Sequence, residues 1–142
     1  MQRAHRVRQV ANRINLSTPL GLAIAAAGRA RVEPGPDGLL LARDYALRLP
    51  GSPAFTVGDV VFLRLSDERL AARPRLLAHE GRHAMQYAWC TGPFMIVLYV
   101  AAALVSWVLC GDYASYNPFE RLADLEDGGY RRRPLRAVFR RG

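Results

Sequence analysis

The residues best suited to chemistry stand at 79–83, in the stretch LLAHEGRHAMQYAW: His79, Glu80 and His83. On a helix, positions i and i+4 project from one face, one above the other. His79 and His83 can then offer two imidazole nitrogens to a single ion, and Glu80, beside the first of them, can hold and deprotonate a water there. Zinc suits two neutral nitrogens plus one oxygen ligand, with a further position left open. Leu76, Leu77, Ala84 and Tyr87 surround the motif. The helix is therefore expected to be buried on part of its face, where two histidines and a glutamate need polar or metal partners to offset desolvation.

A third ligand is available in NPFERLAD. Glu120 can bind the metal, and Asp124, one turn later, can accept the hydrogen bond from the far nitrogen of a ligand histidine and so fix its tautomer. Taken separately, HEGRH is equally a turn of an ordinary helix, and Glu120 with Asp124 a solvated face. It is the pairing of the two stretches that favours a metal site.

The elements that must position these residues read as one α+β domain over 1–142, a small antiparallel sheet followed by the HEGRH helix, an apolar helix and a short Glu-bearing helix. Residues 4–14 are expected to be helical, with the apolar or small positions Ala4, Val7, Val10, Ala11 and Ile14 spaced for one face. Arg29–Glu33 and Gly38–Ala42 read as a hairpin around the Pro34–Gly38 turn. AFTVGDVVFLRL reads as a single strand whose Gly-Asp marks a bulge. Ser66 is a helix N-cap, Pro74 can open a fresh helix, and Gly92-Pro93 stops the helix that carries HEGRH. Asn117 then caps a last helix, PFERLADLED, with Pro118 in its first turn and Gly128-Gly129 ending it.

HEGRH followed by ERLAD resembles the gluzincin metallopeptidases, whose pattern is H-E-x-x-H and a downstream E-x-x-x-D; the E-x-x-A-D form is similar to that of CAAX-protease and HtpX-type membrane peptidases. The resemblance implies one zinc ion at His79, His83 and Glu120, Glu80 as general base, Asp124 buttressing a histidine, and a peptide or protein substrate. It also implies that the strand through Val57, Gly58, Asp59 and Val60 is the edge along which the substrate lies. Tyr130, Tyr116 and Tyr113 are the candidates for stabilising an oxyanion. The specific match covers about ten residues in a chain much shorter than a typical member.

The 142 residues carry 20 basic and 12 acidic side chains, a net charge of +8, and every basic residue is arginine. That bias, with abundant Ala and Gly, is expected of a GC-rich bacterial genome. Arg3, Arg6, Arg8 and Arg13 crowd the start, while Arg131, Arg132, Arg133, Arg136, Arg140 and Arg141 crowd the end. Such termini suit a solvated segment or an anionic membrane surface. No aromatic residues interleave with the first arginines, so a nucleic-acid stacking platform is not indicated. Leu16–Ala27 is apolar and follows a basic lead, but Pro19 and Gly21 inside it favour a core helix over an export signal. Cys90 and Cys110 flank a helix too long for them to bridge, so reduced thiols and a cytoplasmic location are expected.

Phe94–Cys110 is uncharged and at the lower edge of a membrane span. For Glu120 to reach His79 the chain must come back from the end of this segment. The helix climbs about 24 Å and the following loop can extend over about 27 Å, so a metal site requires the loop to run back along the helix. A helix that is buried, or that dips into a membrane, satisfies this where a simple span does not. The functions open to the sequence are therefore a zinc peptidase, a catalytically silent zinc-binding scaffold, and a basic surface-binding protein in which the histidines are incidental.

Overall fold

The computed structural model describes residues 2–140. Helices α1 (Gln2–Ile14) and α2 (Ser17–Ala27) lead into β1 (Arg31–Pro34), a 3-10 turn at Pro36–Gly38 and β2 (Leu40–Arg43). Strands β3 (Ala54–Val57) and β4 (Val60–Leu63) precede α3 (Asp67–Ala71), α4 (Leu76–Trp89), α5 (Phe94–Cys110) and α6 (Pro118–Ala123), and a 3-10 turn at Ala137–Phe139 follows. Helices and one four-stranded sheet give the expected α+β class. Arg141 of the basic tail lies outside the described residues.

The sheet is mixed, not antiparallel, in the order β1-β2-β4-β3. The β1–β2 hairpin forms as read, but β2 pairs with β4 in parallel. The cause is the second correction: the expected single strand over 54–65 is itself a hairpin, with Val57 opposite Val60 and the chain reversing at Gly58-Asp59. Gly58 takes a φ of +64°, which a two-residue hairpin loop needs at its first position and which costs glycine little. Strand β3 therefore forms the sheet edge, and β4 returns between it and β2. Of the four residues expected on the edge strand, Val57 ends the edge strand β3, Gly58 and Asp59 form the turn, and Val60 opens the inner strand β4. A Cβ on Gly58 would stand 2.4 Å from the Thr18 backbone nitrogen. Gly58→Ala is expected to cost more than about 1 kcal/mol, measured by urea unfolding.

All four residues of β4 are buried, as an uninterrupted apolar strand covered on both faces should be. Val61 and Leu63 join Leu39, Leu41, Leu76 and Ala84 on the side of α4. Val60 and Phe62 join Ala42 and Ala25 on the side of α2. The segment 16–27 is thus a core-covering helix in this fold.

Helix α1 forms where expected, but with its apolar face outward. Val7, Val10 and Ile14 are exposed, while Arg8 and Asn12 are buried. The reason lies in the β3–β4 turn. Asp59 is buried there, and a buried carboxylate needs donors. Arg8 Nε donates to it at 2.8 Å, Asn12 Nδ2 at 3.1 Å and Thr18 Oγ1 at 3.2 Å. Asn12 Nδ2 also donates to the Ala84 carbonyl at 2.9 Å, tying α1 to α4. Arg8 is therefore a structural residue and not part of a basic surface.

Helix α5 is neither fully buried nor long enough to cross a membrane; no single described helix is. It follows α4 after a bend of 118°, with Met95, Ala103, Ser106 and Cys110 inward and most of its remaining apolar side chains exposed. Cys90 and Cys110 are free.

Candidate metal centre

His79 and His83 project from α4, and Glu120 from the first turn of α6. That turn starts where Asn117 Oδ1 accepts the Phe119 N–H at 3.0 Å and Pro118 occupies the first helical position. Gln86 on α4 donates to the Phe119 carbonyl at 2.8 Å and docks the two helices. The return from α5 thus brings Glu120 to the histidines. His79 Nε2 lies 3.1 Å from Glu120 Oε2, His83 Nε2 lies 3.3 Å from the same oxygen, and the two nitrogens are 3.1 Å apart. All three side chains are buried.

The partners on the far side of each ring assign its tautomer. His79 Nδ1 faces the carbonyls of Ala123 and Asp124 at 2.9 and 2.8 Å, which can only accept, so Nδ1 carries the proton. His83 Nδ1 faces Gln86 Oε1 at 2.8 Å, and the Gln86 amide nitrogen is already donating to Phe119, so this ring too is protonated on Nδ1. Two Nε2 lone pairs and a carboxylate oxygen then converge with no donor of their own among them. Such a cluster needs a positive charge at its centre, and its donor types fit a metal ion. His79, His83 and Glu120 form a buried group that can hold one.

Without a metal, protons must supply that charge. Burial alone would push His79 down, but its contact with Glu120 and the charges of Glu80 and Glu120 outweigh this and raise it above its ordinary value. Burial works against the Glu120 carboxylate as well, yet its bonds to His79 and His83, helped by Tyr99, hold it well below the usual range. Burial raises Glu80, against the opposing pull of His83, Thr56 and His79.

Four of the sequence assignments change in detail. Asp124 meets His79 through its backbone carbonyl and not its carboxylate. Helix α6 ends at Ala123, short of the expected Asp127, because Asp124 turns the chain at a φ of +75° and its Oδ1 accepts the Glu126 and Asp127 N–H groups at 3.0 and 3.2 Å. That turn is what aims the two carbonyls at His79. Gly128, read as a helix stop, serves close packing instead: a Cβ there would lie 2.6 Å from His79 Cε1. Of the three tyrosines, only Tyr130 lines the site, with its ring centroid 6.1 Å from that of His79. Tyr116 lies under the Arg121 guanidinium and Tyr113 stacks on Trp107.

Arg82, the cation inside the motif, has a partner 45 residues away. Its Nη1 donates to the Ala123 carbonyl at 2.7 Å and to Asp127 Oδ2 at 2.8 Å. It clamps the turn that orients His79. Arg82→Ala is expected to weaken metal binding by about tenfold, read by competition with a chromogenic chelator. Reading by type and spacing also misses Tyr99, whose hydroxyl donates to Glu120 Oε1, and Thr56, whose hydroxyl donates to Glu80 Oε2 at 2.6 Å. Tyr99 stands inside an apolar run and Thr56 in a strand, so neither carries a local pattern; alternation along β3, which turns Ala54 and Thr56 toward α4, is the one available clue.

The three ligands open onto a cavity of about 420 Å³. Glu80, Thr56 and Tyr130 line it, and apolar side chains such as Phe55, Met95 and Ile96 form much of its remaining wall. With Thr56 on Oε2, Glu80 Oε1 has no hydrogen-bond partner among the described residues.

Fold and site together define an α+β domain with a buried His–His–Glu group that can hold a metal ion, beside the edge strand of a mixed sheet. Compared with known proteins, the chain matches no family model, no curated protein and no solved structure.

Proposed function

We propose that the chain is a zinc-dependent peptidase of gluzincin type, with His79, His83 and Glu120 as the ligands and Glu80 as the general base. The observation that carries this reading is the meeting of three acceptor atoms within 3.3 Å beside a second, separately held carboxylate that lines the cavity. Two imidazoles and one carboxylate with an open side are the donor set of a catalytic zinc. The chemistry such an ion supplies when bound is polarisation of a carbonyl and acidification of water.

The chain's own residues supply the rest. The edge strand available to an extended peptide is β3, Ala54–Val57, which borders the cavity, and strand addition is a general mode of peptide capture. Glu80 Oε1 takes the proton from the attacking water and passes it to the leaving amine, while Thr56 holds the other oxygen in place. Its raised pKa brings the proton affinity of this carboxylate closer to that task. Tyr130, kept protonated because burial and the charges of Glu120 and Glu80 raise its phenol, is the donor for an oxyanion. The apolar cavity wall favours an apolar side chain next to the scissile bond.

The test is hydrolysis of a mixed peptide library by the purified chain, with metal content measured alongside. Cleavage that depends on both zinc and Glu80 supports the reading. Equal inertness of the native chain and Glu80→Gln, with metal retained in both, would leave a silent metal-binding scaffold in its place.

A further inference from the structure

The outer face of α5 has no counterpart within the fold. Phe94, Val97, Leu104, Val105 and Val108 recur at helical spacing along it, and each is half or more exposed. The helix runs 17 residues without a charged side chain. A continuous apolar strip of this kind goes beyond the scattered apolar residues of an ordinary surface and marks a contact. Trp89 stands just before the helix and Trp107 near its end, 80% and 45% exposed.

The arginine-rich segment runs back against that end. The Arg136 N–H donates to the Leu109 carbonyl at 2.8 Å, and its guanidinium lies over the Trp107 ring, 5.4 Å from the centroid. Arg131, Arg132, Arg133 and Arg140 are exposed beside it, and among the described residues no carboxylate pairs with them.

We propose that this face docks on an anionic lipid bilayer, with α5 lying in the boundary between headgroups and acyl chains and the arginines of 131–140 against lipid phosphates. An apolar strip, tryptophans toward its ends and arginines at one end are the complement of that boundary. The alternative occupant is a second copy of the chain. A net charge of +8 on each copy opposes self-pairing, whereas the same charge draws the chain to anionic lipid. The cavity adds continuity: Val100 on α5 and Leu49, 49% and 80% exposed, both line it, so its mouth opens next to the docked face. The proposal does not depend on hydrolysis.

The experiment uses the full chain with vesicles of phosphatidylcholine, alone or mixed with phosphatidylglycerol, and follows flotation together with tryptophan quenching by brominated acyl chains. Binding to the mixed vesicles with quenching of both tryptophans is expected. Val97→Asp with Val105→Asp should lower partitioning by at least about tenfold while circular dichroism and metal content stay unchanged. Replacing Arg131, Arg132 and Arg133 by Gln should remove most of the salt dependence. A folded, metal-loaded chain that stays off both vesicle types overturns the proposal, as does binding that survives the two aspartates. Conversion of a dimer to a monomer by the aspartates, without lipid binding, assigns the face to a second copy. If the aspartates unfold the chain, quenching in the native protein decides.

Discussion

Glu80→Gln is expected to cut peptide hydrolysis by about 10²–10⁴-fold while leaving metal content unchanged. The amide keeps the shape of the side chain and an oxygen for the Thr56 hydroxyl at Oε2, so packing and the neighbouring ligands should be undisturbed. What it loses is the ability to take a proton. Because Glu80 is not among the three converging ligands, the loss should fall on kcat, with KM nearly constant. Steady-state kinetics on any cleaved peptide, with metal analysis on the same sample, checks both halves. A variant that keeps full activity would remove Glu80 from the mechanism, and one that loses its metal would make it a structural support.

Glu120→Ala is expected to abolish stoichiometric metal binding and also to destabilise the metal-free protein, by about 3–5 kcal/mol. The substitution removes one oxygen that faces both histidines and the other that accepts from Tyr99. All these groups are then left without a shared partner in a buried site. Chemical unfolding in the presence of chelator isolates the second effect, and metal titration the first.

A pH signature separates the two states of the native protein. The folded pKa of His79 is raised above its ordinary 6.5, so this contribution to metal-free stability is complete below that value and is lost as pH rises through the folded one. The folded pKa of Glu120 is lowered, so its contribution is present above 4.5 and is lost as pH falls through the folded value. Without metal, thermal stability should therefore decline as pH rises above 6.5. With metal the slope should reverse, because a proton no longer competes for the nitrogens. Thermal unfolding from about pH 6 to pH 9, with and without chelator, reads the sign. In Glu120→Ala both trends should flatten.

The site was readable where its logic is local. His79 and His83 share a face by helical spacing alone, and Glu120 sits just inside a helix announced by Asn117 and Pro118. Reading failed where a distant partner decides. The apolar spacing of α1 marks one face, yet Asp59, placed by a turn about fifty residues later, draws Arg8 and Asn12 in and turns Val7 and Val10 out. Gly58-Asp59 fits a bulge as well as a turn, and only the pairing of Val57 with Val60 separates them. The role of Asp124 passes to its backbone, which no side-chain pattern records. Nothing near Arg82 in the chain accounts for a cation inside the motif, because the Asp127 that receives it lies beyond the end of α6.

Tyr99 gives helix α5 two allegiances. Its hydroxyl reaches inward to Glu120 while the opposite side of the same helix faces out toward solvent. The helix cannot lift away from α6 without taking a donor from a ligand of the metal centre. Posture of α5 and metal affinity of the centre would thus be a linked pair of equilibria: whatever seats the helix would strengthen the hold on a bound ion, and by thermodynamic reciprocity that ion would seat the helix to the same degree.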